Sequence, residues 1–353
     1  MPLLERLKAR IRAGGPLTIA DYMAECLFDP TEGYYATREP FGSVGDFITA
    51  PEISQMFGEL LGLCLAQTWL DQGAPTRFTL AEFGPGRGTL MADILRATAK
   101  VPGFHAAMTI VLAEASPRLR TIQTETIKRP VTFIDQADDL PDAPLFMIAN
   151  EFFDALPIRQ FVRQGPLWAE RLIGLTDDGL TFGLSKPAPV AALDSRTDTT
   201  DGDIVELCPV AEAWLNPVAD RIARHGGAAL IVDYGAGPSL GDTFQALRAH
   251  QPVNPLDQPG QADLTAHVDF VALSAIARAN GCDVSPIIPQ GALLGALGIQ
   301  ARATALARSL TGEALKSHHA AFHRLTSPSE MGTLFKTIAI HPKGRPAPPG
   351  FAP

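Results

Sequence analysis

The chain has 353 residues, 46% of them hydrophobic and 19% charged, with a formal net charge of −9. That is material for about two packed domains, and it excludes a disordered or supercharged chain. The acidic balance lacks the basic footprint of a nucleic-acid groove. No apolar run reaches the roughly 18 residues of a membrane-crossing helix, so stable membrane insertion is not expected.

In chain order, residues 1–12 come first. Leu3, Leu4, Leu7 and Ile11 fall near one helical face, with Glu5, Arg6, Lys8 and Arg10 elsewhere. This predicts an amphipathic helix, not the continuous apolar core of a signal peptide, and a cytoplasmic protein. Cys26, Cys64, Cys208 and Cys282 form no CxxC pair, as expected of reduced, mostly buried thiols. Residues 1–75 read as helical around a central loop. Within 53–70, Ile53, Met56, Phe57, Leu60, Leu61, Cys64 and Leu65 recur at helical spacing. Pro51 fits the first position of that helix and Glu52 its first turn.

From residue 77 the pattern alternates between short apolar strands and helices. Strands are predicted at 77–83, 109–113, 131–134, 145–149 and 227–234, with helices after the first two. This β-α-β-α-β order predicts an α/β fold with a parallel, doubly wound sheet. The order is interrupted at 158–163, 168–175 and 180–184, which read as a β-meander with turns at Gly165-Pro166 and Asp177-Asp178-Gly179. Residues 195–203 are a polar loop, 239–330 mix helices and loops, and 333–340 is a final strand before a Pro-rich tail.

The strongest motif is Glu82-Phe83-Gly84-Pro85-Gly86-Arg87-Gly88, placed between a strand and a helix. Glycines there let the backbone turn sharply and let a ligand approach the helix N-terminus. The spacing is G-x-G-x-G, not the G-x-G-x-x-G of dinucleotide folds. An acid two residues before the first glycine gains nothing from a phosphate, but suits a ligand carrying an ammonium and a sulfonium. The loop resembles the first loop of class I S-adenosyl-L-methionine (SAM) methyltransferases. Glu114, ending the second strand, can accept both ribose hydroxyls, a role it would equally play for NAD. Asp135 and Gln136 follow the third strand, where such folds contact the adenine. Asn150, Glu151 and Asp154 follow the fourth, at the edge where open α/β sheets bind ligands. Asp154 fits a helix cap equally well, and Phe152 and Phe153 fit a wall or core.

The chain also carries Gly33-Tyr34-Tyr35 and the segments GDFITAPEISQMFGELLG (45–62), EFGPGRGTLMADILR (82–96), NEFFDALPIRQF (150–161), ELCPVAEAW (206–214), DYG (233–235) and DLTAHVDF (263–270). In this order they resemble the MidA-like SAM-dependent methyltransferases, bacterial relatives of the mitochondrial complex I assembly-factor protein arginine methyltransferase. The resemblance spans roughly residues 15–340. It implies a Rossmann-like class I methyltransferase sheet with a helical N-terminal segment and an inserted β-rich and helical substrate subdomain. On that reading 1–75 is the N-terminal segment with a cofactor-covering loop. Residues 76–157, 226–238 and about 332–341 form the core, and 158–225 and 239–331 the inserted elements. It implies SAM as cofactor and a protein substrate, arginine on a subunit of respiratory complex I (NADH:quinone dehydrogenase). Gly84, Gly86 and Gly88 would cradle SAM and Glu114 would hold its ribose. Phe47, Thr49 and Gln55 would contact it from a loop shaped by Gly42 and Gly45. His267, in His267-Val268-Asp269, would sit near the substrate arginine; a buried polar pair with Asp269 is the alternative.

An arginine nucleophile arrives charged, because its pKa exceeds 12. Carboxylates that grip the guanidinium localise its charge and leave a nitrogen lone pair on the other side. Glu151 with Asp154 is the first choice for that role, with Glu206 in reserve. A small-molecule methyltransferase, or a SAM-binding assembly protein without catalysis, are the alternatives. No metal site is read: His318, His319 and His323 fit a solvent-facing helix.

Overall fold

A computed structural model describes residues 1–37 and 49–351. The chain divides into two compact units, one of residues 1–47, 154–212 and 237–269, the other of 48–153, 213–236 and 270–353.

The second unit is built on a sheet. Its strands are β1 (Phe78–Phe83), β2 (Met108–Ala113), β3 (Val131–Ile134), β4 (Leu145–Asn150), β5 (Gly227–Ala236), β6 (Cys282–Val284) and β7 (Phe335–Pro342). They lie in the order β6-β7-β5-β4-β1-β2-β3. The five predicted strands are mutually parallel. Every residue of β1 and β4 is buried; β4 is apolar from Leu145 to Ala149, as a strand covered on both faces should be, while β1 buries Thr79 and Glu82 among its apolar residues. β7 enters antiparallel between β5 and β6. The predicted final strand is therefore present but reversed, a direction that apolar patterning does not encode. β5 begins at Gly227 with φ +113°, where a Cβ would stand 1.9 Å from the Leu145 carbonyl oxygen. Only glycine allows so close an approach of two backbones.

The helix Gln55–Asp71 packs on the helix Thr89–Thr98, and both contribute to a core that includes Phe57, Leu61, Phe78, Met91, Phe146 and Leu230. The run predicted at 53–70 is in fact two helices. Ala50–Ile53 ends at Ser54, whose extended backbone breaks the turn and whose Oγ accepts from Met56 N at 3.3 Å to start the next helix. Thr49 stands before Ala50–Ile53, so Pro51 occupies its second position, not the first. The helices Phe270–Ala279, Gln290–Ala296, Ile299–Ala307 and Gly312–Thr326 belong to this unit, although 239–331 reads from sequence as inserted elements. A buried carboxylate ties one of them down: Glu59 accepts from Arg302 Nε at 2.6 Å and Nη2 at 2.8 Å, and also pairs with Arg96. His318 Nε2 lies 2.9 Å from the Ala303 carbonyl oxygen, while His319 and His323 are exposed.

The first unit holds the meander. Arg159–Gln164, Leu167–Thr176 and Gly179–Leu184 pair antiparallel in succession, and Ile204–Leu207 joins the edge of Arg159–Gln164. Gln245–Arg248 lies between Gln251–Val253 and Asp263–Thr265 in a small second sheet. The N-terminal helix Leu3–Gly14 buries Leu3, Leu7 and Ile11 as predicted. These side chains share a core with Tyr22, Met23, Ile173 and Phe244, so residues 1–37 fold with the meander and not with the helices that follow residue 49. Thr18 links the two, pairing with Leu172 in the meander and capping the helix Ile19–Phe28. Its Oγ1 accepts from Asp21 N at 3.0 Å in a capping box. Thr18→Ala should cost about 1 kcal/mol, read as a lower midpoint in urea with an unchanged slope; an unchanged midpoint would show the cap to be idle.

The four cysteines are free thiols, three of them buried and Cys208 half-buried. Among the described residues no helix is long and apolar enough to cross a membrane.

Candidate active site

β1 delivers the chain to the glycine turn. Gly84, Gly86 and Gly88 all have left-handed φ, +64°, +52° and +82°. Gly84 N donates to the Ala113 carbonyl at 3.2 Å, prolonging the pairing with β2, and Gly88 N closes a turn on the Pro85 carbonyl at 2.7 Å. A Cβ on Gly84 would meet the Phe152 ring at 3.1 Å. Gly88 then caps the helix Thr89–Thr98 without a side-chain oxygen of its own; of the first N–H groups, that of Met91 is taken by the Glu82 carboxyl.

Glu82, one residue inside the strand end, is 3% exposed. Its Oε2 makes no hydrogen bond among the described residues. Burial pushes its carboxyl up to about 8, against a backbone hydrogen bond from Met91. An idle buried carboxylate oxygen beside a glycine turn fits a cationic ligand. Glu114 is half-buried at the end of β2. Its Oε1 accepts from Ser116 N at 2.7 Å and its Oε2 from Gln123 Nε2 at 3.0 Å. Burial raises its pKa, opposed by those bonds and by the Arg120 charge. Gln123 is a residue that sequence reasoning missed. The signal was available: it is the polar member of the buried stripe Leu119, Gln123, Ile127 on the helix Pro117–Ile127.

Asp135 and Gln136 are both exposed after β3. Asp135 pairs with Arg120, and Gln136 Nε2 lies 3.4 Å from Asp139 Oδ1. Asn150, ending β4, is 8% exposed; its Nδ2 donates to Glu151 Oε1 at 3.0 Å, while its Oδ1 has no partner among the described residues. Glu151 has φ +52°, a costly conformation for a residue with a Cβ, and one that concentrates at functional sites. The surroundings hold it there. Glu151 N donates to the Val232 carbonyl at 3.0 Å, and its Oε1 also accepts from Ala50 N at 3.4 Å. The short helix Ala50–Ile53 is in turn anchored by Thr89 Oγ1, which donates to Glu52 Oε1 at 2.6 Å. Thr49, half-buried, precedes it. Gln55 is exposed and its Nε2 is engaged with Glu59 at 3.3 Å. Phe47, Gly42 and Gly45 lie outside the described residues. Phe152 packs edge-on against Trp214 at 5.0 Å and near Phe83, so it is wall.

Asp154 and His267 belong to the other unit. Asp154 is 6% exposed. His267 is exposed, which removes the reading of a buried polar pair; its backbone N–H donates to Thr243 Oγ1 at 2.8 Å. Asp269 accepts from Ser239 N at 2.9 Å. Glu206, the reserve acid, is committed within its unit: it accepts from Gln160 Nε2 at 2.7 Å and Thr243 N at 2.9 Å, and from Thr243 Oγ1.

A sheet of parallel strands with one reversed strand next to its edge, a glycine turn after its first strand and carboxylates at two strand ends defines a class I methyltransferase. The chain belongs to a family of S-adenosyl-L-methionine-dependent methyltransferases, whose model matches residues 60–288, and SAM is its cofactor. It is 35% identical to the human mitochondrial protein arginine methyltransferase NDUFAF7, over 98% of this chain and 84% of that one. The Drosophila melanogaster homologue is also 35% identical, over 96% and 85%. A Burkholderia thailandensis protein solved with bound S-adenosyl-homocysteine superposes with a TM-score of 0.84 at 29% identity, covering 99% of this chain and 94% of that one.

Proposed function

We propose that the protein is a cytoplasmic protein arginine methyltransferase whose substrate is a subunit of respiratory complex I, and that it supports assembly of that complex. The observation that carries an arginine substrate is Glu151, an acid held at a strained left-handed φ at the carboxyl end of β4 by Asn150 and the Ala50 N–H. Strain maintained at that edge is suited to aiming a carboxylate at a guanidinium. The names of the NDUFAF7 relatives support the same substrate class.

SAM supplies an electrophilic methyl on a sulfonium. Gly84, Gly86 and Gly88 give its backbone cradle, Glu114 accepts the ribose hydroxyls, and Asp135, Gln136 and Asn150 line the adenosine side. Thr49 and Gln55 are assigned to the cofactor by the family resemblance. Glu151 accepts guanidinium N–H groups, so positive charge collects on that side and the distal nitrogen keeps its lone pair. Asp154 and His267 are assigned to the arginine end by the family resemblance.

Glu82 has a measurable consequence. With its carboxyl near 8 it is largely protonated at pH 7 in the free protein. A cationic ligand favours the ionised form, so SAM binding at pH 7 should release up to one proton. Calorimetry in two buffers of different ionisation enthalpy reads this directly, and equal heats in both would refute it. The sign for stability follows from the same shift. Its contribution is fully present below about 4.5 and is lost as pH rises through about 8.

The substrate is tested by incubating the protein with isotopically labelled SAM and purified complex I subunits, then mapping methyl groups by mass spectrometry. Methylarginine on one subunit is expected. Label confined to small molecules, or absent, would overturn the proposal.

A further inference from the structure

We propose that Gln123 is a positioning residue for the cofactor, locking the glycine turn and the Glu114 carboxylate into one register. Its side chain is fully buried. Its amide nitrogen donates to both cofactor elements, to the Gly86 carbonyl at 2.8 Å and to Glu114 Oε2 at 3.0 Å. A Cβ on Gly88 would stand 3.3 Å from Gln123 Cα, so the helix backbone lies directly against the turn. The amide oxygen is buried without a hydrogen bond among the described residues. The fold tolerates this idle acceptor while both N–H groups are committed to the site.

The chemistry selects an amide. A carboxylate at 123 would repel both Glu114 and the Gly86 carbonyl, and an apolar side chain would leave both without their donor. The charged groups around Glu114 are Arg120, whose Nε donates to the Glu114 backbone carbonyl at 2.7 Å, and Asp135, which pairs with Arg120. Arg120 therefore reaches the backbone of Glu114 and is shared with another acid. The inference rests on Glu114 as the ribose acceptor.

The test measures S-adenosyl-homocysteine affinity by calorimetry from pH 5.5 to 9 for the whole protein, with thermal unfolding as the folding control. Gln123→Met should weaken binding about tenfold. Gln123→Glu should weaken binding about a hundredfold at pH 8 and recover as pH falls. A proton on either carboxyl then restores an O–H donor between residues 123 and 114. The unmodified protein should show no such recovery, and a merely structural role would not produce it. If both Gln123 variants bind like the parent while Glu114→Gln binds weakly, the Gln123 proposal is wrong and the ribose role stands. If Glu114→Gln binds like the parent, the ribose role fails and this inference with it.

Discussion

Replacing Gly86 with valine should abolish SAM binding, with affinity falling at least about a hundredfold. Gly86 sits at φ +52° in the middle of a turn whose three glycines are all left-handed. A β-branched residue there is a true outlier, costing at least about 1–2 kcal/mol before any ligand is considered. Its carbonyl is held by Gln123, so the turn cannot relax without breaking the link to Glu114. In the proposed cradle the added side chain would also stand in the cofactor's approach. Titration with S-adenosyl-homocysteine is the measurement. Gly86→Ala should fall between the two. Parent-like affinity in the valine variant would show that the turn is not the cradle.

Glu151→Gln should leave SAM affinity within about threefold and lower kcat on an arginine substrate by about a hundredfold or more. The amide keeps the size and the left-handed backbone, and it still offers an oxygen to Asn150 Nδ2 and Ala50 N. It loses the charge that would collect the guanidinium's positive charge on one side. Single-turnover methyl transfer after separate measurement of cofactor binding distinguishes the two effects. Parent-level turnover would remove Glu151 from the chemistry. Loss of SAM affinity instead would move its role to the cofactor.

Much of the sheet unit was legible because its signals are local. β4 is buried on both faces, so residues 145–149 form a continuous apolar run. The turn between β1 and the next helix needs three left-handed residues, so it is written as three glycines. Glu114 closes a strand, and a strand end places a carboxylate at the ligand edge whatever the rest of the fold does. The break at Ser54 is not legible, for the opposite reason. Its neighbours have helical spacing, and only its own extended backbone, fixed by capping Met56, breaks the helix.

The chain by itself determined the strand–turn–helix setting of the glycine motif, the acids Glu82 and Glu114 and the amphipathic first helix, because these follow from periodicity and turn chemistry within a dozen residues. Only the tertiary structure decided that β7 runs backwards, that residues 1–37 pack with the meander, that Glu206 is spent on Thr243 and Gln160, and that Gln123 lies beneath the glycine turn. It also revealed the left-handed backbone of Glu151, which no glycine announces. Each of these depends on partners distant in sequence, and pairing direction, buried hydrogen bonds and maintained strain are properties of those partnerships.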